Sequence, residues 1–179
     1  MRLPGPLPSL GSIALLVVLV VVLVTGGGGD GAGDDSPDSG GGPGESVTAR
    51  VDRVVDGDTI EVLLDGAEED VRYIGVDTPE SVKPGTPVEC YGMAASHFNE
   101  RLVGGRTVRL VFDAERRDSY GRLLAYVYLG DRFVNAELVR RGYATTLTIA
   151  PNDSHATLFD RLAQEAGRAG RGLWGACGS

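Results

Sequence analysis

Apolar and polar residues alternate weakly along residues 46–55, and the alternation stops at Asp56-Gly57. A period of two marks a half-buried strand, because successive side chains point to opposite faces. Asp-Gly between two β-rich runs signals a hairpin. The pattern predicts a strand over 46–55 and a return strand over 59–64. Asp65-Gly66 makes a second turn, and 70–76 forms a third strand. Val108, Leu110 and Phe112 alternate with Thr107, Arg109 and Val111, and a fifth strand covers 123–128.

The period lengthens to that of a helix in three places. Within 88–103, Tyr91, Ala94, Phe98 and Leu102 form one apolar stripe. A short helix over 135–141 has Asn135 as its cap and Gly142 as its stop. A longer helix over 154–168 carries Leu158, Leu162 and Ala166 on one side. Three strands, a helix, two strands and two helices make an α+β domain that is mainly β. Five short strands are best closed into a small barrel, which removes exposed sheet edges.

The first part of the chain follows neither period. No charge intervenes between Arg2 and Asp30, and 13–24 is an unbroken apolar run of twelve residues. A membrane-spanning helix needs about 20 such residues, whereas a shorter run suits the apolar region of a signal peptide. Residues 1–26 therefore read as a signal peptide, with an uncleaved membrane anchor as the alternative. Either places the protein outside the cytoplasmic membrane, secreted or held at its outer face. Residues 27–46 are Gly, Asp, Ser and Pro with almost nothing apolar, a flexible linker. The folded domain is 47–179.

Charge sharpens this division. The chain carries −8 at neutral pH. Five of its acids (Asp30, Asp34, Asp35, Asp38 and Glu45) lie in the linker, and Arg2 lies in the leader. Setting these aside leaves twenty acids against sixteen bases, so the domain is near −4. A net negative domain is not a passive polyanion binder, because such affinity comes from Lys and Arg releasing counterions. Cys90 and Cys177 are the two cysteines. In an exported chain they suggest one disulfide tying the first helix to the C-terminus, with two free thiols as the alternative.

The stretch "VRYIGVDTPE" then stands out. An apolar strand carries Arg72, then Asp77 beside a rigid Thr78-Pro79 corner, then Glu80. Alternation puts Arg72, Ile74 and Val76 on one face and Asp77 on the other, unless the strand end bends. Asp58 begins a strand, where Asp is unfavourable, and Arg122 begins another. The Asp56-Gly57-Asp58 turn lacks the ligand spacing of an EF-hand loop. Carboxylates without His or Cys suit Ca²⁺ or Mg²⁺, and arginines suit a phosphate. The residues alone leave open a phosphoryl-transfer site or a set of surface ion pairs. His97 and His155 read as surface or capping residues, and Trp174 as an anchor of the C-terminus in the core.

"VVDGDTIEV", "RYIGVDTPES", "CYGMAAS", "DSYGRLLAYVY" and "NAELVRRGYA", in this order, resemble the staphylococcal nuclease family. The resemblance implies an OB-fold, a five-stranded barrel with three helices. It implies a monomer that hydrolyses DNA and RNA with Ca²⁺, leaving 3′-phosphates. Asp58 and Asp77 then hold Ca²⁺ together with the carbonyl of Thr78. Glu80 is the general base, Arg72 and Arg122 grip the scissile phosphate, and Tyr120 lines the nucleotide pocket. After "RRGYA" the family has two tyrosines and a lysine, where this chain supplies Thr148 and Ala150. The family's lysine before "YGR" is here Ser119. The other reading is a non-catalytic nucleic-acid or protein-interaction module on the same barrel.

Overall fold

The computed structural model describes residues 43–82 and 85–178. The leader over 1–26 and most of the linker lie outside the described residues. Strands β1 (Ser46–Val54), β2 (Thr59–Leu64) and β3 (Ala67–Tyr73) form a meander. A short β4 (Gly75–Asp77) follows, then helix α1 (Gly92–Val103) and strands β5 (Thr107–Val111), β6 (Leu123–Leu129) and β7 (Arg132–Phe133). The chain finishes with α2 (Val134–Arg140), β8 (Thr145–Leu147), α3 (Ala156–Arg168) and α4 (Leu173–Ala176).

β1 pairs with both β2 and β5, and β6 pairs antiparallel with β5 and parallel with β3. That last pairing closes a five-stranded mixed barrel with helices around it, the α+β OB-fold class. Alternation supplies its filling. Val51, Ile60, Val62, Val71, Val108, Leu110, Leu123 and Val127 are buried inward. The tight turn between β2 and β3 works because Asp65 (φ 52°) and Gly66 (φ 86°) both take left-handed angles.

The third strand differs from its sequence pattern at both ends. It starts at Ala67, because the turn brings Ala67 directly opposite Leu64 despite the polar run Glu68-Glu69-Asp70. It ends at Tyr73, because Gly75 takes φ 78° and breaks the pleat. A Cβ on Gly75 would lie 2.4 Å from the Phe159 ring, so the break also lets α3 approach. Beyond it, β4 leaves the barrel and pairs with β8.

Polar side chains tie the helices to the barrel. Asn135 is not a cap but a fully buried residue inside α2. Its Oδ1 accepts from the Val127 N–H at 2.9 Å, and its Nδ2 donates to the Ile74 carbonyl at 2.9 Å. Gly142 (φ 73°) does end α2, as its position predicts. Asp113 accepts from the Tyr126 hydroxyl and from the backbone and hydroxyl of Ser154, fixing the start of α3. Burial works against the charged form of Asp113, but the hydrogen bonds from Ser154 and Tyr126 outweigh it and hold its pKa below the ordinary value. His155 occupies the cap position of α3 without a side-chain cap, and its ring packs edge-on to Tyr126 at 4.5 Å.

Two further expectations are corrected. The inward face of α1 is Ala95, Asn99, Leu102 and Val103, whereas Phe98 lies half-buried and stacks on Tyr143 at 4.2 Å. Trp174 is 40% exposed and α4 buries no residue, so it is no core anchor. The chain end is held by backbone instead. The Leu173 N–H donates to the Gly142 carbonyl at 2.8 Å, and a Cβ on Gly172 would collide with that same oxygen.

Cys90 and Cys177 are bonded in this structure, with Cα atoms 5.7 Å apart and a sequence separation of 87. Closing a loop of that size is worth about 4–5 kcal/mol in the chain-entropy view. Reduction of the protein should therefore lower its melting temperature by roughly 10 °C. Calorimetry with and without reductant measures this, and two free thiols in a non-reduced digest would remove the premise.

Candidate active site

The turn between β1 and β2 is built to push Asp58 inward. Asp56 Oδ1 accepts from the Asp58 N–H at 3.0 Å, an Asx turn. Asn99 on α1 donates to the Asp56 carbonyl at 3.2 Å, and its Oδ1 accepts from the buried Tyr73 hydroxyl at 3.1 Å. The turn is thus pinned to the core on one side. On the other it meets Thr78, where a Cβ on Gly57 would lie 2.6 Å from the Thr78 hydroxyl oxygen. Gly57 is needed for that close approach.

Asp58 is consequently 4% exposed. Its Oδ2 accepts from the backbone N–H of Thr78 at 2.7 Å and from the Thr78 hydroxyl at 3.0 Å. Its Oδ1 lies 2.5 Å from Arg72 Nη1. Burial pushes the Asp58 carboxyl up to about 6, against the pull of Arg72. A cation beside it would favour the charged form.

Arg72 stands at the end of β3, opposite Thr59 on β2. Its Nη1 donates to the Val76 carbonyl at 3.1 Å and its Nη2 to Asp77 Oδ1 at 2.9 Å. The break at Gly75 makes this possible, because it folds β4 back over the guanidinium. The face mismatch expected between Arg72 and Asp77 is removed by that bend. One guanidinium therefore bridges a buried and a half-exposed carboxylate.

Glu80 follows the Pro79 corner, and its Oε1 accepts from the N–H groups of Ser81 and Val82 at 2.9 Å each. Arg122 arrives from the far side, at the start of β6. Asp118 places it by accepting from the Arg122 Nε at 2.7 Å and from its backbone N–H at 3.0 Å. Burial works to raise the Asp118 carboxyl, but these bonds and that from the Tyr120 N–H outweigh it and lower its pKa. The Arg122 guanidinium sits 5.6 Å from the centre of the Tyr120 ring, which is 85% exposed.

These side chains meet at two cavities. A polar one of about 150 Å³ is lined by Asp56, Asp58, Arg72, Asp77, Thr78, Glu80 and Arg122. A larger one of about 450 Å³ shares Arg72 and Arg122 as a wall and adds Ser119, Tyr120, Leu124, Leu147 and Ile149. The structure thus brings every residue singled out for metal, phosphate and base roles to one cavity, with Tyr120 in the second. Thr148 and Ala150 are not part of either lining. The alternation of 147–150 turns Leu147 and Ile149 to the cavity instead, and that period was visible in the sequence.

Among the described residues no group of three or more His, Cys, Asp or Glu forms a ready metal site. The donors facing the small cavity are all oxygen, and one of them is a buried carboxylate held partly against its charge. That chemistry fits a hard cation such as Ca²⁺ completed by other oxygens, and does not fit zinc.

Residues 70–176 match the family described as staphylococcal nuclease homologue. A thermonuclease of Staphylococcus intermedius is 48% identical over 124 residues, covering 69% of this chain and 74% of the relative. A thermonuclease of Staphylococcus hyicus is 42% identical over 127 residues, covering 71% and 75%. Endonuclease YncB of Bacillus subtilis is 41% identical over 134 residues, covering 74% of this chain and 64% of the relative.

Proposed function

The chain belongs to the staphylococcal nuclease family and is a phosphodiester hydrolase, and from that premise we propose that it cuts DNA and RNA outside the cell with Ca²⁺ as cofactor, leaving 3′-phosphates. The observation that carries this reading is the convergence of two arginines, three aspartates and Glu80 on one small polar cavity.

Asp58, Asp77 and the Thr78 carbonyl would hold Ca²⁺. When bound, that ion supplies charge stabilisation at a phosphoryl oxygen. Arg72 and Arg122 both line the cavity and would donate to the non-bridging oxygens of the scissile phosphate. Their hold strengthens as negative charge builds there in the transition state. The rigid Pro79 corner aims the Glu80 carboxylate, which takes a proton from the attacking water. The water oxygen bonds to phosphorus as the bond to the 5′-oxygen breaks. The phosphate stays on the 3′ side, and the 5′-oxygen leaves with the bonding electron pair and takes a proton from solvent water to become the 5′-hydroxyl.

Tyr120, Leu147 and Ile149 offer a nucleoside one aromatic and two aliphatic surfaces in the larger cavity. The apolar run over 13–24 supports export, either released or anchored. Activity on DNA and on RNA should require added Ca²⁺, vanish in EGTA and return with excess Ca²⁺. Full activity in EGTA would overturn the metal assignment.

A further inference from the structure

Glu80 is gripped from behind by a carboxylate that takes no part in the proposed chemistry. Glu89 Oε2 accepts from the Glu80 N–H at 2.9 Å, and the Glu89 N–H donates to the Glu80 carbonyl at 2.9 Å. Both backbone polar groups of Glu80 are thus held by one residue nine positions on. The start of α1 presses on the same spot. The Gly92 N–H donates to the Glu89 carbonyl at 3.0 Å, and a Cβ on Gly92 would lie 2.4 Å from the Glu80 oxygen. The next residue after Glu89 is Cys90, bonded to Cys177.

We propose that Glu89 is the positioning residue of Glu80, and that the Cys90–Cys177 bond anchors it. The proposal rests on the reading of Glu80 as the base. The Glu80 carboxylate bonds the N–H groups of the two residues that follow it, so its place depends on the backbone at Glu80. Glu89 and Gly92 set that backbone relative to α1, and α1 is fixed to the metal-side turn through Asn99. The disulfide fastens the start of α1 to the chain end. Carboxylate and turn are thereby placed by the same helix. A misplacement of about 1 Å in a reacting group can cost about 10²-fold in rate.

The hydrogen bond to the Glu80 N–H needs an acceptor at position 89, not a charge. This separates positioning from electrostatics. We would measure kcat and KM on DNA for Glu89→Ala, Glu89→Gln, Gly92→Ala and the Cys90→Ala, Cys177→Ala pair. All would be assayed below their melting temperatures at saturating Ca²⁺, with Glu80→Gln as reference. Glu89→Ala should lower kcat about 10- to 100-fold with KM nearly unchanged. Glu89→Gln should recover most of that loss, because the amide oxygen can accept the same bond. Gly92→Ala should lower kcat with Glu89 intact, and the cysteine pair should lose about 3- to 10-fold by loosening the anchor.

Wild-type kcat in Glu89→Ala, with Glu80→Gln inactive, would overturn the positioning role alone. A Glu89→Gln variant as slow as Glu89→Ala would show that charge is what matters, and would overturn the acceptor argument. Full activity in Glu80→Gln would remove the base and the positioning proposal together. Undiminished kcat in the cysteine pair would overturn the anchor. If Glu89→Ala does not fold, Gly92→Ala and the cysteine pair decide the question.

Discussion

Glu80→Gln should lower kcat on DNA by about 10²–10⁴-fold, the range for removal of a general base. KM and melting temperature should barely change. The physical reason lies in what the substitution keeps. Gln retains an oxygen that can accept from the Ser81 and Val82 N–H groups, so the local turn stays closed. The backbone grip of Glu89 on residue 80 does not involve the side chain being changed. What is lost is the capacity to take a proton. A variant that cuts DNA at the wild-type rate would show that Glu80 does not serve as base.

Arg72→Lys and Arg122→Lys should each lower kcat by about 10²–10³-fold, the scale for losing one aligned donor to a developing oxyanion. Lys keeps the charge but lacks the planar fork of donors. The two variants should differ in stability. Arg72 bridges Asp58 and Asp77 and also donates to the Val76 carbonyl, with its side chain mostly buried. An ammonium cannot make all of these contacts, so Arg72→Lys should also lose about 1–3 kcal/mol of stability through groups left unpaired. Arg122 pairs with Asp118 and is more exposed. Arg122→Lys should therefore melt close to the wild type. Near-normal turnover in either variant would show that charge alone suffices at that position. Equal melting temperatures would show that the Arg72 bridge contributes little to the fold.

The acidic balance of the domain bears on how substrate arrives. Arg72 and Arg122 are partly neutralised by Asp58, Asp77 and Asp118. Asp56 and Glu80 also line the small cavity, so without a cation it presents more carboxylates than arginines, and a bound Ca²⁺ would shift that balance towards a polyanion.

Several features were determined by the sequence alone, because their causes act over a few residues. Alternation marked β1 and β5, and the Asp56-Gly57 and Asp65-Gly66 turns marked the β1–β2–β3 meander. Gly142 marked the end of α2, and Pro79 marked the corner carrying Glu80. The five ordered motifs carried the family, and with it the residues that gather at the small cavity.

Other features were decided only when distant segments met. Asn135 looks like a cap in sequence, yet the broken strand end at Ile74 and the β6 backbone needed a buried partner, and α2 brings Asn135 to them. Asn99 sits on a helix face that periodicity assigns to apolar residues, but there it joins the Tyr73 hydroxyl to the Asp56–Asp58 turn. Trp174 is apolar enough for the core, but a glycine contact already holds the chain end, so its ring stays at the surface. The grip of Glu89 on Glu80 left no mark in the local pattern. Periodicity reports which face of an element is apolar. Which buried polar group finds which partner depends on how elements far apart in sequence come together, and that is settled by the tertiary fold.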